Sequence, residues 1–143
     1  VELYIGSDHA GYSMKEEIKN WIHINYPAIS IHDEGCNSAE SCDYADYAHA
    51  VASKIKNDSR GILLCGSANG VSIAANKHNG VRAALCWNEE ITKLAREHND
   101  ANILSIPARY VTIEQAKEMV KLFFETPFEG GRHLRRVEKI DII

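Results

Sequence analysis

Five short apolar runs alternate with five longer segments of helical periodicity, and this alternation limits the fold of the 143-residue chain more than any other feature. Extended runs are read at 2–6, 29–33, 61–65, 81–86 and 102–106. Helices are read at 12–25, 44–57, 71–77, 89–97 and 112–125, the last with Ile113, Ala116, Val120, Phe123 and Phe124 on one face. Strands each followed by a helix pair in parallel through crossovers, so the expected class is α/β: a three-layer αβα, doubly wound, Rossmann-like five-stranded sheet. Gly130 and Gly131 break the chain after the fifth helix, and 132–143 reads as an extra, strongly charged C-terminal helix. The expected organisation is a single domain over 1–143, with a core at 1–128 and an arm at 129–143 that docks on a second subunit. Open α/β sheets bind ligands at the carboxyl ends of their strands. That rule gathers Ser7-Asp8-His9, Asp33-Glu34, Cys65-Gly66-Ser67 and Pro107-Ala108-Arg109 on one rim.

Composition removes several classes of function. Hydrophobic residues at 45% and charged residues at 25% suit one globular core. A net charge of −4 supplies no basic field, which argues against nucleic acid as partner. No apolar run approaches the roughly 18–20 residues of a membrane span, and the first residues do not resemble a secretion signal, so a cytoplasmic location without a membrane partner is expected. Cys36, Cys42, Cys65 and Cys86 form neither a Cys-x-x-Cys pair nor a zinc spacing, so reduced thiols are expected. Seven scattered histidines show no paired ligand spacing, and no metal is expected. Gly6 and Gly11 do not make a dinucleotide fingerprint, and the loop at 66–70 does not continue into a P-loop, so no nucleotide cofactor is expected.

The stretch Gly61-Ile62-Leu63-Leu64-Cys65-Gly66-Ser67-Ala68-Asn69-Gly70 is where chemistry is most strongly indicated. An apolar strand ends in a cysteine and runs into a loop of small residues before a helix. Backbone N–H groups in such a loop are free to face an anion. Donors beside a thiol favour its anionic, nucleophilic form. Cys86, next to Trp87, reads instead as a small buried hydrophobe.

These segments, with Asp43-Tyr44, Ile73-Ala74-Ala75-Asn76-Lys77, Arg96-Glu97-His98-Asn99-Asp100-Ala101-Asn102 and Phe128-Glu129-Gly130-Gly131-Arg132-His133, resemble the type B ribose-5-phosphate isomerases over essentially the whole chain. That group is related to galactose-6-phosphate and allose-6-phosphate isomerases. The resemblance implies a cofactor-free aldose–ketose isomerase of the non-oxidative pentose phosphate route, working through an enediolate. Cys65 is then the base, and Ser67 with the backbone of Gly66, Ala68, Asn69 and Gly70 holds the enediolate oxygen. His98 opens the furanose ring, an imidazole being able to pass a proton either way near neutrality. Its plain alternative is a favourable charge at a helix C-terminus. Asn99 binds sugar hydroxyls, and Asp8 and Tyr44 line the pocket. His9, Arg109, Arg132 and Arg136 clamp the phosphate, the forked guanidinium suiting its oxygens. The last two arginines could equally be solvated charge. By the same resemblance the protein is a homodimer in which Cys65, Ser67 and His98 of one subunit meet Arg132 and Arg136 of the other.

Two positions depart from relatives: Ala68 stands where many have glycine, and Val71 where some carry a glutamate base. Cys65 with Val71 assigns the chain to the branch that uses cysteine. Two other readings stand beside the leading one: a hexose-6-phosphate isomerase, and a non-catalytic sugar-phosphate sensor.

Overall fold

Each apolar run becomes a strand of one sheet and each periodic segment a helix covering it. The computed structural model describes residues 1–142. Its elements are β1 (Glu2–Ser7), α1 (Tyr12–Asn25), β2 (Ser30–Asp33), α2 (Tyr44–Ala52), β3 (Arg60–Cys65), α3 (Asn69–Ala75), β4 (Ala83–Leu85), α4 (Glu89–Asn99), β5 (Ile103–Pro107), α5 (Ile113–Glu125) and α6 (Arg132–Glu138). The sheet order is β2-β1-β3-β5-β4, and every adjacent pair is parallel.

Side-chain alternation along the strands divides the core into two layers. Ile62 and Leu64 of β3 join Leu3, Ile5, Leu104 and Ile106 under α1, α4 and α5, with Ile18, Ile22, Ala95, Met119 and Phe123 facing them. Leu63 and Cys65 point the other way, into a cluster with Ala48, Val51 and Ala52 of α2 and Val71, Ala74 and Ala75 of α3. The doubly wound, three-layer expectation therefore holds.

Several boundaries differ from the sequence reading, each for a local reason. Helix α2 stops at Ala52 rather than 57, because the chain tightens through i+3 bonds (Lys54 N to Val51 O, 3.0 Å) and turns at Asn57 with φ of 52°. Helix α3 starts two residues early, since Ala68 takes the left-handed conformation (φ 64°) and the helix begins directly after it. Helix α4 runs through His98 and Asn99 to a left-handed Asp100. Helix α6 ends at Glu138 rather than continuing to 143, and Ile143 lies outside the described residues. A single 3-10 turn at His9–Gly11, not foreseen, leads into α1.

Crossover helices carry the chain from the carboxyl edge of the sheet back to its amino edge, so α4 and α5 both end at the amino edge. The arm begins there. Glu129 N donates to Glu97 O at 3.1 Å, α6 packs on α4, and Gly80 N donates to the Asp141 carboxylate at 3.2 Å. The positive φ of Gly130 (68°) and Gly131 (52°) makes the turn into α6.

A cation lies fully buried inside the fold. Lys15 of α1 is fully buried, and its ammonium donates to both Asp33 oxygens at 2.7 and 2.9 Å and to Cys36 O at 2.6 Å.

Candidate active site

The chain crosses from one face of the sheet to the other between β1 and β3; Asp8 directly follows the carboxyl end of β1, and Cys65 ends β3. Such a switch point opens a crevice for a ligand. Asp8 is held by both its backbone and its side chain: its N–H donates to Leu64 O at 3.2 Å and its Oδ1 accepts from Gly11 N at 3.1 Å. His9 follows, and its Nδ1 accepts from Cys42 N at 3.3 Å, which leaves Nε2 as the nitrogen free to donate.

Cys65 is 5% exposed and faces the α2/α3 layer beside Leu63, Ala68 and Val71. The loop after it is pinned from the neighbouring strand, with Ala108 N donating to Cys65 O at 2.9 Å and Arg109 N to Gly66 O at 3.1 Å. These bonds draw the Arg109 guanidinium over the loop; its Nη1 lies 3.1 Å from where a Cβ on Gly66 would stand. Ser67 is exposed, and its Oγ accepts from Asn69 N and Nδ2, both at 3.3 Å. Ala68 tolerates its left-handed backbone because its methyl is buried in the α2/α3 cluster and its carbonyl accepts from Ser72 Oγ at 2.7 Å. The amides of Asn69, Gly70 and Val71 then form the first turn of α3, where no earlier carbonyl within the helix can take them. Gly70 lies against the Tyr44 ring so closely that a Cβ would come within 2.4 Å of it. Asp8, His9, Tyr44, Cys65, Gly66, Ser67, Ala68, Asn69, Gly70 and Arg109 are thus all on the carboxyl edge.

His98, Asn99, Arg132 and Arg136 are not. Helix α4 ends three residues before Asn102, whose carbonyl accepts from Gly61 N at 2.9 Å at the foot of β3. Gly61 is four residues below Cys65, about 13 Å along the strand. Within one chain His98 therefore stands at the amino edge and Cys65 at the carboxyl edge, which corrects the expectation that a single subunit brings Cys65, Ser67 and His98 together. The helix polarity makes this unavoidable. At the amino edge the His98 ring stacks on that of His133 at 4.2 Å and 14°. Glu129 Oε1 lies 3.3 Å from His133 Nε2 and 3.8 Å from His98 Nε2. Arg132 and Arg136 are exposed on α6 on either side of the buried His133, one helical turn apart.

A family model described as Ribose/Galactose Isomerase matches residues 3–140. The chain belongs to the ribose/galactose isomerase family. Ribose-5-phosphate isomerase B of Escherichia coli is 40% identical over 144 residues, covering 99% of this chain and 95% of that protein. The crystal structure of a ribose 5-phosphate isomerase from Thermotoga maritima superposes with a TM-score of 0.94 at 47% identity, covering 100% of this chain and 99% of that one. Ribose-5-phosphate isomerase B from Mycoplasma genitalium, solved with bound ribulose-5-phosphate, gives 0.92 at 40% identity, over 97% of this chain and 93% of that one.

For a ribose/galactose isomerase, the sequence reading missed three supporting groups. The Cys42 amide on His9 left no signal, because it depends on how the irregular loop between β2 and α2 folds back. Glu129 and His133 carried no helical signal, since Gly130 and Gly131 separate Glu129 from α6, and their meeting with His98 is a tertiary event. Burial, with the neighbouring Cys36 thiol, pushes the Cys42 thiol above its ordinary range. Burial alone pushes Cys86 up to about 11, consistent with its reading as an inert hydrophobe. Among the described residues no helix is long and apolar enough to cross a membrane.

Proposed function

We propose that this protein interconverts ribose 5-phosphate and ribulose 5-phosphate as a cytoplasmic homodimer whose two active sites lie across the subunit interface. The observation that carries the reading is the position of Cys65: at the β1/β3 switch point, between Asp8, the first turn of α3 and the Arg109 guanidinium. The family relation, and the relative solved with ribulose-5-phosphate, agree with it.

The chemistry follows from the charges that must appear. After ring opening, the Cys65 thiolate takes the proton from C2, the C–H electron pair becomes the C1–C2 double bond, and negative charge moves onto O1. The Asn69 and Gly70 amides and the Ser67 hydroxyl stand fixed near that charge before it develops, which is what lowers the barrier. The same thiol returns its proton at C1 while the O2 hydroxyl proton passes to O1, giving the ketose with no net change in protons. Tyr44 and Asp8 flank the sugar. His9 and Arg109 hold the phosphate from one subunit, and Arg132 and Arg136 of the second subunit complete the clamp. His98 and Asn99 travel with that arm, so ring opening is performed by the subunit that does not supply Cys65. A two-fold dimer that sets the amino edge of each chain against the carboxyl edge of the other builds both sites at once.

The test is initial rates of ketose formation, with EDTA present, on ribose 5-phosphate, allose 6-phosphate and galactose 6-phosphate. The expected result is a clear preference for the pentose, with turnover abolished and substrate binding retained in Cys65→Ala. A hexose preference would move the protein to a different sugar, and no turnover of any of the three would identify a sensor.

A further inference from the structure

The His98, Glu129 and His133 side chains offer more than a supported imidazole. We propose that they form a binding site for a borderline divalent transition ion, Zn²⁺ or Co²⁺, and that occupation of this site shuts the enzyme off. The ligating atoms, two imidazole nitrogens and a carboxylate oxygen, all lie within 4.8 Å of one another. A four-coordinate zinc with bonds near 2.0–2.1 Å places its donors about 3.3 Å apart. The Glu129 oxygen already stands at 3.3 Å from His133 Nε2 and 3.8 Å from His98 Nε2. Two imidazoles and one carboxylate select zinc, cobalt or nickel over magnesium and calcium, which take oxygen donors, and they leave a fourth position for water.

The scaffold is built before any ion arrives. Glu129 stands just before α6 and His133 in its first turn, with the positive-φ Gly130 and Gly131 folding the chain between them; the Glu129 amide is bonded to Glu97 O at 3.1 Å, and the His133 amide to Gly130 O at 2.9 Å. His133 is buried on α6 and fixes the deep side of the site. His98, 37% exposed, has only to tilt off its stack to turn Nε2 toward a shared ion. The ion then occupies the lone pair that ring opening requires. That consequence rests on the function proposed above; the binding itself does not.

Two readouts on the intact protein separate these claims. In a Co²⁺ titration without chelator, the site gives one ion per chain with visible d–d bands and no thiolate-to-cobalt band in the near ultraviolet. Glu129→Gln and His133→Asn each weaken it by about tenfold or more, the loss expected for a disrupted metal shell. Binding unchanged in both variants, or a thiolate band marking Cys65, Cys36 or Cys42 as ligand, would overturn the site. In the rate assay, Zn²⁺ or Co²⁺ reduces turnover, EDTA restores it, and each variant moves the midpoint by the factor seen in its binding. Saturated binding with an undiminished rate would overturn the shut-off. A protein that turns over no sugar phosphate even with EDTA would refute the proposed function, and the cobalt titration would still decide the site.

Discussion

The placement of Cys65 and His98 at opposite edges of one chain makes a quantitative prediction for mixed dimers. Cys65→Ser removes the proposed base and His98→Asn the proposed ring-opening group, and each variant alone should be nearly inactive, since every site in its homodimer lacks one of the two. Co-expression of the two variants in equal amounts yields mixed dimers as half of the population by random pairing. In a mixed dimer with sites across the interface, one site takes its cysteine from the His98→Asn chain and its histidine from the Cys65→Ser chain, and is whole. The other site collects both defects. Half the dimers with half their sites intact gives about one quarter of wild-type activity per chain. Doubly tagged mixed dimers, purified away from the parents, should reach about one half. The assay is ribulose 5-phosphate formation at saturating ribose 5-phosphate. Mixtures no more active than the parent variants would place both groups of a site on one chain and refute the geometry argued from helix α4.

Three further outcomes follow from particular contacts. Burial raises the Asp33 carboxyl, but the Lys15 and Lys19 ammonium groups and the Gly35 amide outweigh it and hold it below its ordinary value. The stability it contributes is therefore full above the usual carboxylate range and lost as pH falls through the depressed value. Asp33→Asn should cost about 3 kcal/mol at neutral pH by leaving the buried Lys15 with only the more distant Glu16 carboxylate, at 3.6 Å, and should flatten the acid limb of a urea-denaturation profile; an unchanged profile would contradict this. Ser105 Oγ is buried without a hydrogen-bond partner, so Ser105→Ala should leave stability unchanged or raise it by about 1 kcal/mol in denaturant melts, and a loss above that would reveal a partner. Gly70→Ala should drive a methyl into the Tyr44 ring, displace it toward solvent and raise KM for the sugar phosphate with little change in Tm; Gly70→Ala with unaltered KM would remove Tyr44 from the pocket.

Much of the fold could be read because its signals are local. The apolar runs of β1, β3 and β5 are bounded by polar or glycine residues, and the Thr112 cap and the amphipathic face of α5 mark that helix at both ends. The loop after Cys65 was legible as a donor-rich turn, whereas its length was not. That depended on Ala68 accepting a left-handed backbone, a state its neighbours in the α2/α3 layer impose and its own side chain disfavours. The harder failure concerns His98. Strand-to-helix alternation already implied that α4 ends at the amino edge, yet a catalytic role invited placing His98 beside Cys65. Residue roles say nothing about which copy of the chain supplies them; helix polarity does. The grouping of His98 with Glu129 and His133 spans more than thirty residues and is set by where the arm docks, so no spacing rule reaches it.

The two ends of the sheet give the proposed enzyme an unusual relation between folding and activity. In the proposed dimer each chain, with α6 seated on its own α4, carries two half-sites and no whole one. Catalysis then begins with docking rather than with folding, and is governed by mass action. Below the dimer dissociation constant, activity should fall as the square of the chain concentration while the circular dichroism of the fold stays constant. The amount of protein present, and not only its integrity, decides whether any site exists.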